Sequence, residues 1–198
     1  MNPIIITKNF APPPVNRKEI LRYAKADKMD TKTAELLESC LSEALEKLCY
    51  KTCYVRLGAK ISENLCDFGN LKVESSCLAK ELKDCDEIFL FAATLGIELD
   101  RLIAKYGRIS PSRALFFQAI GAERIESLCD SLCCFLEEES KKTLKPRFSA
   151  GYGDLDISCQ SDIFNLLDCP KRIGLTLNDS QLMSPTKSVT AFVGIKNL

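Results

Sequence analysis

Residues 86–94, D-E-I-F-L-F-A-A-T, form a continuous apolar run that ends at Leu95-Gly96. A run of this length with no polar residue at its centre is typical of a buried strand. Helices are predicted after it at 97–106 and 112–141, the second with an apolar spine at helical spacing. Shorter helices and strands are predicted on both sides of this block. We therefore expect an α+β fold, with helices packed on a mostly antiparallel sheet.

The chain is predicted to be a single domain built from three segments. Residues 1–15 contain A-P-P-P and should form an extended N-terminal arm, because consecutive prolines disfavour helix. Residues 16–84 are expected to be a helical N-terminal part, and 85–198 the core. Asn16 with Glu19 is typical of a helix cap and its reciprocal partner.

Smaller elements are predicted from local patterns. They are helices from Asn16 to about Ala26, from Asp30 to about Tyr50, at 75–82 and at 158–167, extended pieces at 53–59 and 69–75, and two or three strands between 173 and 195 with a turn at Ser184-Pro185. The helix at 158–167 is expected to stop near Pro170.

The charge balance excludes one class of partner. Lys plus Arg and Asp plus Glu both number 27, so the formal net charge is zero. Nucleic-acid binders carry a basic excess that neutralises phosphates, and none is visible here. No apolar run approaches the ~20 residues of a membrane helix. The N-terminus lacks the pattern of a signal peptide. We expect a cytoplasmic protein that binds neither nucleic acid nor membranes.

Eleven cysteines and no histidine are the unusual feature of the composition. The odd count and irregular spacing argue against a disulfide framework. No paired C-x-x-C spacing of a zinc or iron–sulfur site is present, so no metal ligand is predicted. The cysteines are expected to behave as small buried apolar residues. Without histidine, the chain is expected to position ligands rather than to supply catalytic residues.

The segment Arg147–Gly153, R-F-S-A-G-Y-G, is the strongest candidate for a ligand loop. A guanidinium offers a planar fork that fits a carboxylate through two parallel hydrogen bonds. Gly151 and Gly153 allow positive φ and close backbone approach, and Tyr152 offers an aromatic face. Spacing alone favours the alternative interpretation, a glycine turn beside a solvent-exposed arginine.

The candidate loop is one of five sequence segments that are considered together in their order along the chain. They are F-A-A-T-L-G at 91–96, A-I-G-A-E-R-I-E-S-L-C-D at 119–130, R-F-S-A-G-Y-G at 147–153, I-F-N-L-L-D at 163–168, and the closing G-L-T-L-N-D-S-Q-L-M-S-P-T-K-S-V-T-A-F. Together the blocks resemble the S-adenosylmethionine-binding activation domain of cobalamin-dependent methionine synthase, whose signature is Arg-x-x-x-Gly-Tyr-Pro. Gly153 replaces the family's proline. The resemblance implies a stand-alone activation subunit that lacks or replaces the aromatic contacts that the family domain adds after the position of Leu198.

The resemblance also implies roles for individual residues. Arg147 would hold the carboxylate of S-adenosylmethionine, and Gly151 with Tyr152 would line the pocket that faces the cobalamin. Ser149 and Ala150 belong to the same loop. Glu126 matches an acidic residue of the long helix that contacts this ligand. A half-buried carboxylate needs a partner, and for Glu126 a structural salt bridge is the alternative to a ligand contact.

The implied function is reductive reactivation in methionine biosynthesis. The chain would dock over the cobalamin of a partner, the methionine synthase chain, and present the methyl group of S-adenosylmethionine to the reduced cobalt. A flavodoxin or ferredoxin-type protein would supply the electron. A non-catalytic docking module for corrinoid proteins, a chaperone or sensor, is the first alternative. A cysteine-based metal or redox protein is the second.

Overall fold

The centre of the protein is a five-stranded sheet in which every neighbouring pair is antiparallel. The structure is a computed structural model and describes residues 3–26 and 30–197. The strands are β1 (Ile6–Asn9), β2 (Lys51–Gly58), β3 (Lys60–Ile61), β4 (Leu65–Asp67), β5 (Lys72–Glu74), β6 (Glu87–Thr94), β7 (Leu144–Phe148), β8 (Thr176–Leu177), β9 (Met183–Ser184) and β10 (Ser188–Ile195). The sheet order is β1-β2-β6-β10-β7, with β3–β5 and β8–β9 in two small antiparallel sheets.

Seven helices cover the two faces of this sheet in the described part of the chain. They are α1 (Arg17–Tyr23), α2 (Thr31–Leu45), α3 (Ser76–Glu81), α4 (Glu98–Ile109), α5 (Pro111–Ser140), α6 (Cys159–Leu167) and α7 (Cys169–Ile173). Helices α1, α2, α4 and α5 share one hydrophobic core with the sheet, and α3, α6 and α7 share the other. The predicted α+β class with a mostly antiparallel sheet is confirmed.

Strand β6 separates the two cores. Its side chains alternate between the sheet faces, as the two-residue period of a strand requires. Phe89 and Phe91 belong to the core beneath α5, whereas Ile88 and Leu90 belong to the core beneath α6. Both sets are buried, which explains why this strand is continuously apolar rather than alternating.

Segment 16–84 contributes strands as well as helices. Besides α1, α2 and α3 it contains β2, which pairs with β6 from Lys51 opposite Thr94 to Gly58 opposite Glu87. Segments 16–84 and 85–198 therefore share one sheet. Within the predicted arm 1–15, Ile6–Asn9 forms the edge strand β1 beside β2.

Two local predictions need correction, and one is confirmed. The helix predicted at 158–167 ends at Leu167, before Pro170, and Pro170 itself lies in the first turn of the separate helix α7, where a missing N–H is tolerated. The long helix from Asp30 ends at Leu45 rather than near Tyr50. The Asn16 side chain caps α1 by accepting from the Glu19 amide, but the Glu19 carboxylate pairs with Arg22 instead of returning to Asn16.

The backbone N–H of Asn16 is satisfied by α5 instead. It donates to Glu123 Oε1 at 2.9 Å, and Glu123 is ion-paired with Arg124. The Arg124 guanidinium also donates to the carbonyls of Pro13 and Pro14 at 2.6 and 2.7 Å. Arg124 is 0% and Glu123 2% exposed. This buried pair therefore fixes the proline arm to the long helix.

Removing one partner of the buried pair should destabilise the fold strongly. Arg124→Leu leaves the Glu123 carboxylate buried without its cation, which costs about 3–5 kcal/mol of unfolding free energy. Arg101→Leu is the matched control, because Arg101 pairs with Glu98 on the surface of α4 and is 69% exposed. Its loss should cost about 0–1 kcal/mol. Urea denaturation measures both values, and equal losses would contradict the role of Arg124.

The loop between β7 and α6 is fastened to α3. The carboxylate of Asp154 accepts from the Ser75 hydroxyl and from the amides of Ser76 and Cys77, the latter two at 2.8 and 3.1 Å. Ser75 is also the N-cap of α3 and accepts from the Leu78 amide. These donors, with Ser75 the strongest, hold the pKa of the Asp154 carboxyl well below its usual range.

Asp154→Ala should release this loop. We expect faster amide hydrogen exchange at Ser76 and Cys77, whereas Asp179→Ala, in an exposed turn, should leave both unchanged. Because the folded pKa of Asp154 is lowered, its contribution is present above the pKa of the unfolded carboxyl and is lost as pH falls through the folded value. Protection in the wild type should thus persist at about pH 4 and fall only well below it. If both variants lose protection of these amides at neutral pH, Asp154 is not what fastens the loop to α3.

Candidate functional site

A cavity of about 670 Å³ opens at the edge of the sheet. Strand β7 stops at Phe148, opposite Phe192, so the first residues of β10 extend past it. The loop after β7, the middle of α5, the start of α6 and the turn before β10 surround this step. The lining residues are Glu126, Arg147, Phe148, Ser149, Ala150, Tyr152, Ile157, Gln160, Gln181, Leu182, Met183, Thr186, Ser188, Val189 and Thr190. Of the six sequence-predicted site residues, all but Gly151 line this cavity.

Arg147 lies in a strand and not in a loop, which corrects the sequence interpretation. It is the fourth residue of β7 and pairs with Val193 of β10. Pro146 precedes it, and a proline is tolerated there because β7 is an edge strand. The strand backbone therefore fixes the direction of the arginine side chain, which points to α5.

Two carboxylates of α5 receive the guanidinium. Arg147 Nη2 donates to Glu126 at 2.8 Å and Nη1 donates to Asp130 at 2.5 Å. The salt-bridge alternative for Glu126 is thus present in the structure, and because Glu126 also lines the cavity, the ligand contact stays a prediction. Asp130 was not predicted, although its position four residues after Glu126 places it on the same helix face.

This triad of Arg147, Glu126 and Asp130 carries a formal charge of −1. Burial, the largest single influence, would lower the pKa of Arg147, but the hydrogen bond and charge of Asp130 and the neighbouring Cys129 and Cys133 together outweigh it, so the pKa is raised and the cation is permanent. Cys129 and Cys133 lie beside the guanidinium, and burial raises the pKa of both thiols. The neighbouring sulfurs therefore stay neutral and leave the charge of the triad unchanged.

The loop after β7 forms a tight turn that brings small residues to the cavity. The Gly151 amide donates to the Leu155 carbonyl at 2.9 Å, and the Tyr152 amide donates to the Ser149 carbonyl at 3.2 Å. Gly151 adopts φ +85°, a conformation that favours glycine. Its role is thus to shape the turn, while Ser149, Ala150 and Tyr152 contribute to the wall.

A polar group on the opposite wall was missed by the sequence analysis. Gln160, in the first turn of α6, is 3% exposed, and its Oε1 accepts from the Thr190 hydroxyl at 2.6 Å. Ser188 is buried nearby and donates to Thr94 at 2.7 Å or to the Pro185 carbonyl at 2.8 Å. One signal was available: Gln160 precedes Ile163 and Phe164 by three and four residues, on the apolar face of the helix.

Three large apolar side chains surround the mouth of the cavity. Tyr152, Ile157 and Leu182 are 69%, 43% and 65% exposed, and all three line it. Apolar side chains that cluster at the rim of a cavity mark a surface suited to contact with a ligand or partner.

The cysteines are spread through the fold. All eleven lie within the described residues and are free thiols, and seven of them are buried: Cys40, Cys53, Cys66, Cys85, Cys129, Cys159 and Cys169. Across residues 3–26 and 30–197, no three histidine, cysteine or acidic side chains are grouped to hold a metal ion. In the same residues no helix is both long and apolar enough to cross a membrane.

Comparisons with known proteins identify the fold. No protein-family model matches the sequence, and no curated protein matches it. The crystal structure of the MetH reactivation domain bound to AdoHcy superposes with a TM-score of 0.69, covering 98% of this chain and 78% of that chain at 13% identity. At this level of identity the similarity establishes the fold. The chain has the fold of a MetH reactivation domain, as its five sequence blocks implied.

Proposed function

We propose that the chain binds S-adenosylmethionine in the cavity and acts in the reductive reactivation of cobalamin-dependent methionine synthase. The observation that carries this proposal is the ion pair of Arg147 and Glu126 in the wall of an otherwise uncharged cavity, with Asp130 bound to the same arginine just outside the lining. Supporting it are the fold shared with the MetH reactivation domain bound to AdoHcy and the sequence blocks around the triad.

The charges of the triad complement those of the ligand. The methionyl end of S-adenosylmethionine has a carboxylate, an ammonium and a sulfonium, so the ligand has net charge +1. The Arg147 guanidinium has five N–H groups, of which two donate to Asp130 and Glu126, so others remain for the ligand carboxylate, and Glu126 Oε1 offers an acceptor for the ammonium. The excess negative charge of Asp130 favours the sulfonium over neutral sulfur.

The rest of the cavity suits the nucleoside end. Tyr152 and Ile157 offer flat or apolar surface, and Gln160 and Ser188 add uncharged polar groups. The volume of about 670 Å³ falls in the ordinary range for small-molecule sites, roughly 300–1,000 Å³. The residues present therefore fit both halves of the ligand.

The chemistry itself would come from the ligand and the partner. S-adenosylmethionine would supply the methyl group from its sulfonium and would remain as S-adenosylhomocysteine, and a partner's cobalamin, reduced by one electron from a flavodoxin or ferredoxin-type protein, would supply the acceptor. This chain would hold the carboxylate with Arg147, orient the amine with Glu126 and exclude water with Tyr152. No side chain of its own needs to act as a general acid or base.

Arg147→Ala should weaken binding of S-adenosylmethionine by about 1.5–3 kcal/mol, the range for a hydrogen bond to a charged group. Isothermal titration calorimetry measures the change, and thermal unfolding checks that the variant is folded. Arg101→Ala is the control, because it removes an exposed arginine of α4. Unchanged affinity in the Arg147 variant would place the ligand elsewhere.

The complete reaction is tested with the partner present. Visible absorbance follows the Co(II) form of a cobalamin-dependent methionine synthase mixed with the chain, S-adenosylmethionine and a reductant that is competent on free cobalamin. We expect methylcobalamin with the intact chain and almost none with Arg147→Ala. Ligand binding without conversion would favour a non-catalytic docking module for corrinoid proteins.

The charge of the triad predicts a preference for the methylated ligand. S-adenosylmethionine should bind severalfold more tightly than S-adenosylhomocysteine, which lacks the sulfonium charge. Asp130→Asn should reduce this ratio, and about 1 M salt, with a Debye length of ~3 Å, should do the same. Asp162→Asn, an exposed aspartate on α6, is the matched control. A ratio unaffected by Asp130→Asn would refute the electrostatic origin of the preference.

A further inference from the structure

The side-chain amide of Gln160 uses its oxygen in a hydrogen bond within the protein, whereas its nitrogen is available to donate one. Oε1 accepts from the Thr190 hydroxyl at 2.6 Å. Gln160 is only 3% exposed, yet within residues 3–26 and 30–197 no group accepts a hydrogen bond from its Nε2. Nε2 is not sealed in the core either, and Gln160 lines the cavity. An amide nitrogen that opens to a cavity from an otherwise buried side chain is a donor available to a ligand acceptor.

Thr190 fixes which end of the amide faces the cavity. Thr190 is 1% exposed, and in the described part of the chain its hydroxyl proton goes only to Gln160. If the amide were turned over, Nε2 would donate to Thr190, and the buried threonine proton would lose its acceptor. Such an unsatisfied group is costly, so the orientation with Nε2 toward the cavity is favoured.

The position along β10 separates this donor from the charged triad. Thr190 lies three residues before Val193, the partner of Arg147, which is about 10 Å along a strand. The two also lie on opposite sheet faces, since Val193 packs in the core beneath α5 and Thr190 contacts α6. Gln160 therefore lies at the end of the cavity away from Arg147.

We infer that Gln160 Nε2 donates to a ring nitrogen of the purine base, an inference that rests on the proposed function. With the carboxylate at Arg147, the nucleoside half of the ligand extends toward Gln160. An amide N–H group can only donate, and the ring nitrogens of adenine are acceptors without a proton. A ligand that places a C–H or N–H group there leaves the donor buried and unpaired. Gln160, oriented by Thr190, is thus the residue that selects the base.

The test is a double-mutant cycle in which Gln160 is changed in the protein, one ring nitrogen is changed in the ligand, and the binding affinity is measured for each combination. Calorimetry would compare S-adenosylhomocysteine with three analogues in which N1, N3 or N7 of the adenine is replaced by a C–H group. In the wild type, one analogue should bind roughly fivefold to tenfold more weakly, the effect of one neutral hydrogen bond. In Gln160→Met, the parent ligand should lose the same factor, and that analogue should bind as well as the parent.

Two variants keep the test decisive. Gln118→Met makes the same substitution at an exposed position of α5 and should retain the discrimination. Gln160→Glu keeps an acceptor for Thr190 and serves if Gln160→Met fails to fold; it should lose the discrimination too. The inference is overturned if a folded Gln160 variant still binds one analogue more weakly than S-adenosylhomocysteine. It is also overturned if the wild type binds all three analogues as tightly as S-adenosylhomocysteine.

Failure of the two proposals can be told apart. If the wild type binds S-adenosylhomocysteine and needs Arg147 to do so, but base discrimination does not depend on Gln160, only the present inference is wrong. If the wild type binds neither S-adenosylhomocysteine nor S-adenosylmethionine, the proposed function falls and this inference with it.

Discussion

Burial of β6 on both faces is the constraint on which the rest of the structure depends. A backbone that cannot reach water must satisfy its hydrogen bonds inside the protein. Strand β6 does so by pairing with β2 on one side and β10 on the other along all eight of its residues. Because both its faces are apolar, helices must cover both sides of the sheet. The two cores, and the segment that supplies β2, follow from this requirement.

The candidate site arises from a difference in strand length. Strand β7 has five residues and β10 has eight, so the sheet narrows by a step at its edge. Each side of the step meets a different core. Arg147 and its carboxylates belong to the α5 side, and Gln160 and Thr190 belong to the α6 side. A single cavity therefore combines a charged wall with an uncharged polar one.

The sequence predicts the elements whose pattern is determined by burial, and it misses contacts between distant residues. Strand β6 was predictable from its uninterrupted apolar run, and helix α5 from apolar residues that recur at helical spacing. The position of Arg147 in a strand was not, because Pro146 and the glycines that follow indicate a loop. Glu123 and Arg124 look like ordinary charged residues of a helix surface. Their burial depends on the proline arm, which no local pattern connects to α5.

The anchoring of the arm has a consequence for how the chain folds as it is synthesised. The carbonyls of Pro13 and Pro14 bind an arginine that lies 111 and 110 residues later. During translation the arm leaves the ribosome long before Arg124 exists, so its polar groups stay bound to water until α5 is complete. Contacts of such large sequence separation form late and slow the folding of a domain. The proline arm is thus among the last parts of this domain to reach its native position.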